Sequence, residues 1–378
     1  MNSRPRLFDT PLIAMLALLP ALAGCESEPP GPRPLSEAAL ASVTEDAGAP
    51  AKQVAREVDD LFTMEGLGET RALVVMQNGK IAAERYAPGY GADTRFVSWS
   101  MAKTVTAVMI GMLVGEGRLQ LDESAPVPRW QRPGDPRAEI TLRQLLQMRS
   151  GLRHTELEEP FPQDLTVRML FLDGRDNMAD FATSQPLEYE PGSTFEYSTN
   201  TSVILADIAA RALTDSDAPE DRSAAVDAYL QSRLFEQLGM DSAVPEYDAS
   251  GTLIGGSLIH ATARDWAKFG EFLRRKGSHQ GVQLVPRNWI AFMTSPNPRK
   301  PDYGAHVYLN RDNGTDRNLL FPDRAPDTLF ALSGHMGQFV LVSPEQRLTI
   351  ARLGHTNGQE RDLMMEQLGD IVELYPVR

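Results

Sequence analysis

The sequence predicts a mixed α/β (α+β) fold: an antiparallel sheet flanked by helices, built from both chain ends, with a mainly helical lobe inserted between them. Three observations predict it. Ala72-Leu73-Val74-Val75-Met76 is apolar without a break, and Asn78-Gly79 then turns the chain back through Lys80 to Tyr86, the signature of a tight hairpin. A strand apolar on both faces belongs to a sheet covered on both sides by helices. Near the other end, Gln338 to Val342 and Leu348 to Leu353 read as two more strands joined through Ser343-Pro344-Glu345, while the middle of the chain reads as helices and long loops.

Taken in order, the chain opens with Arg4 and Arg6 and an apolar run from Leu12 to Leu22, too short for a comfortable membrane span and shaped like a secretion signal. That run ends in Leu22-Ala23-Gly24-Cys25, which resembles a bacterial lipobox. The resemblance implies cleavage of residues 1–24 and a lipid anchor on Cys25, the one cysteine of the chain. Glu26 follows Cys25, which points to the outer membrane facing the periplasm. Residues 25–50 carry Glu28-Pro29-Pro30-Gly31-Pro32 and Asp46-Ala47-Gly48-Ala49-Pro50, so they read as a flexible tether.

Residues 51–376 read as one domain, with an α/β lobe from about 60–118 and 265–376 and a helical lobe from about 119–264. A helix over 51–63 places Val54, Val58, Leu61 and Phe62 on one face. Thr141-Leu142-Arg143-Gln144 has the form of a capping box, and Ser150-Gly151 reads as a helix stop. Thr201 to Leu213 and Ala261 to Lys276 are further helices. A last one sets Met364, Leu368, Ile371 and Val372 at helical spacing. A cleft between lobes is the expected ligand site.

Composition narrows the function. The 378 residues are 42% hydrophobic and 23% charged with a net charge of −14, which argues against a nucleic-acid partner. Six scattered histidines, with no HExxH and no paired His/Cys spacing, predict no metal site, and nothing calls for another cofactor.

The chemistry-bearing stretch is Ser98-Trp99-Ser100-Met101-Ala102-Lys103, just ahead of an apolar helix. Three residues is almost one helical turn, so Ser100 and Lys103 project from one face. A serine hydroxyl needs a base, and a lysine is one when burial or a nearby cation lowers its pKa. At the first turn of a helix, Ser100 also lies where free N–H groups favour an oxyanion. Alone the pair is weak evidence, because roughly one SxxK arises by chance in a chain of this length.

The wider pattern is more specific. Ser100-Met101-Ala102-Lys103, Ile140 to Leu146 with Ser150-Gly151-Leu152, Pro191-Gly192-Ser193-Thr194-Phe195-Glu196-Tyr197-Ser198, Ala261 to Gly270, and Gly334-His335-Met336-Gly337-Gln338 together resemble the class C β-lactamase-related serine hydrolases. The resemblance covers about residues 65–376, and two stretches point to a branch of esterases and 6-aminohexanoate-oligomer hydrolases. It implies a β-lactamase/penicillin-binding-protein-like fold, a cofactor-free acyl-enzyme mechanism on Ser100, Lys103 as base, and Tyr197 as proton relay. The backbone N–H groups of Ser100 and Gln338 would form the oxyanion hole, with Gly337 letting the strand approach substrate. Thr199 stands where the family's Tyr-x-Asn motif has asparagine, with Asn200 one step later. A threonine lacks an amide's paired donor and acceptor, so both residues are expected near the substrate with altered bonding. His335 replaces the lysine of Lys-Thr-Gly, which weakens the hold on a substrate carboxylate. Trp99 is placed to line an acyl pocket.

The leading expectation is therefore a small-molecule ester or amide, or a peptide-like substrate. The alternatives are β-lactamase or D-Ala-D-Ala carboxypeptidase chemistry, and a non-catalytic envelope lipoprotein that keeps the fold.

Overall fold

The computed structural model describes residues 33–315 and 318–378. The expected signal peptide, Cys25 and the start of the expected tether lie outside the described residues. A short helix α1 (Glu37–Ala41) and α2 (Ala51–Thr63) lead into β1 (Glu69–Gln77) and β2 (Lys80–Tyr86). Asn78 and Gly79 both adopt positive φ, 54° and 80°, as a two-residue hairpin turn requires. After β3 (Arg95–Val97) come the long helix α3 (Ala102–Gly115), α4 (Leu142–Leu146), α5 (Leu165–Phe171), α6 (Met178–Thr183), α7 (Thr199–Leu213), α8 (Pro219–Leu230) and the single turn α9 (Glu236–Leu238). Short strands β4 (Val244–Pro245) and β5 (Ile259–Thr262) precede α10 (Ala263–Arg274). A small hairpin, β6 (Ser278–His279) and β7 (Val282–Gln283), leads to α11 (Arg287–Met293) and β8 (Tyr308–Leu309). The chain closes with β9 (Phe330–Gly334), β10 (Gln338–Ser343), β11 (Leu348–His355) and α12 (Arg361–Glu373).

Both chain ends share one six-stranded antiparallel sheet in the order β2-β1-β11-β10-β9-β8. The two chain ends meet at the seam between β1 and β11, where Val74 faces Ala351 and Val75 faces Ile350. Because side chains alternate across a strand, the apolar run divides between two cores. Ala72, Val74, Val340, Val342, Ala351 and Leu353 join a core that continues through α3 and α10 into the helical lobe. Leu73, Val75, Phe339, Leu341 and Ile350 join a second core with Val54, Val58 and Leu61 of α2 and Met364, Leu368, Ile371 and Val372 of α12. At Gly270 of α10 an added Cβ would stand 2.6 Å from Thr349 Cγ2 and 2.7 Å from Val340 Cγ1, so glycine is what lets the helix lie on the sheet.

Two expectations need correction. Residues 35–50 are not a free tether: Thr44 N–H donates to Ala82 O at 2.9 Å and Glu84 N–H to Ser42 O at 2.8 Å, while Ala39 and Ala47 are buried. The segment covers the outer edge of β2, a strand that would otherwise leave its backbone groups unpaired. Nor does a helix stop at Ser150-Gly151. The capping box on Thr141 and Gln144 is present, but α4 ends at Leu146, and Met148 already has φ 55°. Gly151 serves a close crossing instead, since a Cβ there would lie 2.3 Å from Tyr189 O. Among the described residues no helix is long and apolar enough to cross a membrane.

Candidate active site

The candidate nucleophile sits on a constrained turn. Ser98 Oγ accepts from Ile259 N at 3.1 Å and donates to Ser257 O at 3.2 Å, fixing the exit from β3. Trp99 then takes φ 46°, a left-handed conformation that costs a non-glycine residue about 1 kcal/mol or more. Trp99–Met101 forms a 3-10 turn that runs directly into α3. Because α3 is buried on all sides from Ala102 to Leu113, Lys103 in its first turn is buried too.

Lys103 Nζ meets three oxygens: Ser100 Oγ at 3.0 Å, Thr199 Oγ1 at 2.7 Å and Gly256 O at 2.8 Å. That uses all three hydrogens of an ammonium. Burial brings its pKa down to about 8, with the charge of Glu156 acting in the opposite direction. Close to neutrality, then, a usable fraction of Lys103 is uncharged.

Glu156, which the sequence alone did not single out, lies in the loop between α4 and α5. Its Oε1 accepts from Thr199 Oγ1 at 2.8 Å, and its Oε2 accepts from Thr199 N at 2.7 Å. His154 Nε2 is 3.0 Å from Oε2 and Thr166 Oγ1 is 3.3 Å from it. Burial pushes this carboxyl up, but the Lys103 charge and the bonds from His154 and Thr199 outweigh it and hold the pKa at about 2. The carboxylate is therefore ionised at any neutral pH. Thr199, the first residue of α7, accepts from Lys103 and donates to Glu156 with one hydroxyl. The expected deficit relative to asparagine is corrected: a hydroxyl offers a donor and an acceptor when its two partners differ.

Tyr197 places its ring 4.9 Å from Lys103 Nζ and packs edge-on against Tyr303 and tilted against Tyr308 in an aromatic group that includes Phe195. Burial raises its phenol well above the usual value, Tyr308 and Tyr303 add to this, and a hydrogen bond with Ser100 pulls the other way. At rest Tyr197 therefore holds its proton. Trp99 packs edge-on against His335, with ring centroids 5.5 Å apart. Burial of the imidazole and the nearby His355 lower the His335 pKa, so His335 is neutral at pH 7.

The third motif is arranged differently from the expectation. It forms the β9–β10 turn, and β9 is the strand that meets the nucleophile: a Cβ on Gly334 would lie 2.3 Å from Ser98 O. Leu329 O accepts from Asn310 N on the β8 side, so alternation turns odd-numbered residues of β9 outwards and Gly334 inwards to its partner Gln338. Gly334 itself is extended, with φ −120° and ψ 154°, which carries the alternation on to His335. The Gln338 N–H thus faces Gly334 rather than Ser100, and the His335 N–H lies on the edge beside Ser98–Ser100. The Gln338 side chain is buried and binds His335 O, Met336 O and Gly354 O at 2.8–3.1 Å. Gly337, at φ 79°, is required by the turn and by Arg352, whose Nη1 would lie 2.7 Å from an added Cβ. Asn200 is buried with neither amide atom hydrogen-bonded and takes no part in holding Lys103.

So the structure gathers Ser100, Lys103, Tyr197, Thr199, Trp99 and His335, adds Glu156, and leaves Asn200, Gly337 and the Gln338 side chain outside the cluster. His306, also buried near Lys103, is held by Leu146 O and Ser202 Oγ, and burial lowers its pKa to about 3, leaving it a neutral strut. Among the described residues no group of His, Cys, Asp or Glu is arranged to hold a metal ion.

A family model described as beta-lactamase matches residues 65–372. The chain belongs to the β-lactamase family. The chain is also similar to the 6-aminohexanoate-dimer hydrolase of Paenarthrobacter ureafaciens, 25% identical over 249 residues that cover 61% of this chain and 58% of that one. The match thus spans less than two thirds of that relative's length. Among solved structures, a provisionally assigned 6-aminohexanoate-dimer hydrolase from Bacillus anthracis superposes with a TM-score of 0.66 at 21% identity, over 91% of this chain and 88% of that one. A family VIII carboxylesterase gives 0.63 at 15% identity, over 88% and 98%. These two likenesses show the β-lactamase-like fold.

Proposed function

We propose that this β-lactamase-family chain hydrolyses ester or amide bonds through an acyl-enzyme on Ser100. The observation that carries the proposal is a buried lysine, its pKa brought down to about 8, with Nζ 3.0 Å from a partly exposed serine Oγ. Neutral Lys103 takes the Ser100 proton as Oγ bonds to the substrate carbonyl carbon. The resulting oxyanion is held by the Ser100 and His335 amides, His335 replacing Gln338 in this role. On collapse the C–O or C–N bond breaks, the leaving group takes a proton from Tyr197, and Lys103 returns one to the phenol. Water then attacks the acyl carbon and releases the acid, restoring Ser100.

The walls favour an uncharged acyl or leaving group. Trp99, Tyr197 and Tyr308 are aromatic and partly exposed, and His335 offers no fixed cation at pH 7. One observation supports the second reading, β-lactam or D-Ala-D-Ala chemistry. Arg361, at the start of α12, acts electrostatically on both Tyr308 and His335 and could meet a carboxylate. Turnover of p-nitrophenyl acyl esters against nitrocefin divides the two. The expected result is faster ester turnover, abolished by Ser100→Ala. Faster nitrocefin turnover would reverse the order, and hydrolysis that survives Ser100→Ala would remove Ser100 from the mechanism.

We also propose a lipid anchor on Cys25, supported by the sequence pattern at 22–25. Palmitate labelling of the expressed full chain is expected to disappear with Cys25→Ser, and labelling that persists contradicts the anchor.

A further inference from the structure

A lysine of lowered basicity is not yet a directed base. Once neutral, Lys103 keeps two N–H donors and gains a lone pair, which must face a group with a proton to give. Of the three oxygens around Nζ, Gly256 O at 2.8 Å is a carbonyl and only accepts. Thr199 Oγ1 at 2.7 Å has a single proton, and that proton lies on the 2.8 Å bond to Glu156 Oε1. Ser100 Oγ at 3.0 Å remains.

We infer that Glu156 is a positioning residue for the Ser100–Lys103 pair: by accepting the Thr199 hydroxyl proton it leaves Ser100, among these three neighbours, as the one hydrogen neutral Lys103 can take. The inference rests on the acyl-enzyme reading above and deepens it. Glu156 does not touch Nζ through any hydrogen bond; it acts through Thr199. Its own position is fixed from three elements, by Thr199 N of α7, by Thr166 Oγ1 of α5 and by His154 in its loop. The free N–H groups at the start of α7 favour a carboxylate there. The other groups that face this pair are the Tyr197 ring and His306 beside Lys103, and Tyr303, Tyr308 and His335, all of which feel the Glu156 charge or that of Lys103. None of them supplies a second anion.

The Thr199 bridge also explains how the chain works without the motif asparagine. An amide in that place would accept from lysine with its oxygen and donate with its nitrogen. The threonine hydroxyl reproduces that polarity, provided a carboxylate stands behind it to fix which way its proton points.

Glu156→Gln is the test, read with a p-nitrophenyl ester over a full pH range. Glutamine keeps an oxygen for Thr199 N–H but presents NH2 to Thr199 Oγ1, turning the hydroxyl proton onto the Lys103 lone pair. The expected result is a fall in kcat of about tenfold to a hundredfold with KM little changed. The acidic limb of the profile, near pH 8 in the wild type, should move down by about one unit because the anion that favours charged Lys103 is gone. The limb reports only the lost charge, which a merely structural role would remove as well, so the deciding readout is the part of the kcat loss that depends on the Thr199 hydroxyl; an unchanged kcat overturns the inference. In a Thr199→Val background the misdirected hydroxyl is absent, so Glu156→Gln should cost far less there; full additivity would also overturn it. Thr199→Asn keeps the polarity without touching Glu156, so it serves even where Glu156→Gln fails to melt cooperatively. Its limb should stay within about half a unit of the wild type, and a displaced limb contradicts the inference. Absence of Ser100-dependent turnover in the wild type would sink the acyl-enzyme reading itself, whereas intact wild-type turnover with no Thr199-dependent loss of kcat in Glu156→Gln sinks only the role of Glu156.

Discussion

Two of the cations buried among the described residues, Arg352 and Lys103, behave in opposite ways. Arg352, 0% exposed, sits on β11 and donates to Gly337 O, Glu69 O, Thr70 Oγ1 and Thr356 Oγ1 at 2.8–3.1 Å. Lys103, 1% exposed, sits at the start of α3 with three oxygens and a carboxylate one hydroxyl away. Burial lowers both, Arg352 to about 9 and Lys103 to about 8. The arginine still keeps its proton at neutral pH, and all its partners are fixed backbone or threonine oxygens. The lysine is closer to losing its proton, and one partner, Ser100, is partly exposed and can give one back. Burial alone therefore makes a rivet. A base also needs a nearby proton donor that opens to substrate.

Exchanging each cation for an apolar chain separates the two roles. Lys103→Met is expected to have the larger effect, lowering kcat/KM for an ester by about 10³-fold or more. It should remain folded, since Glu156 keeps its bonds to Thr199, His154 and Thr166. Arg352→Met should cost about 3 kcal/mol in urea unfolding, because the carbonyls of Gly337 and Glu69 lose a buried charged donor. Its folded fraction should still hydrolyse ester. The comparison breaks if Lys103→Met retains activity or if Arg352→Met is as stable as the wild type.

What the sequence disclosed follows from how local each signal is. The Asn78-Gly79 turn, the Thr141 capping box and the two-faced run at 72–76 are short-range patterns, and each appears where expected. Ser100 and Lys103 are one turn apart and were visible for the same reason. Glu156 was not, since it reaches Lys103 only through Thr199, 43 residues further on, and a His-x-Glu in a loop has no periodicity to mark it. The Gln338 amide was misplaced because a motif does not reveal which way an extended backbone turns; that depends on the pairing of β9 with β8 and β10. Residues 35–50 looked like a linker from their small and polar residues, yet an open strand edge accepts almost any backbone.

The central claim is that Ser100 is the nucleophile and Lys103 its base, and both halves meet in one experiment. The chain is treated with a fluorophosphonate probe between pH 6 and 10, and the adduct is mapped by peptide mass. The account predicts a single adduct on Ser100, formed at a rate that rises with pH through a midpoint near 8, where Lys103 becomes neutral. An adduct on another residue, or a rate on Ser100 that is flat across that range, would contradict it.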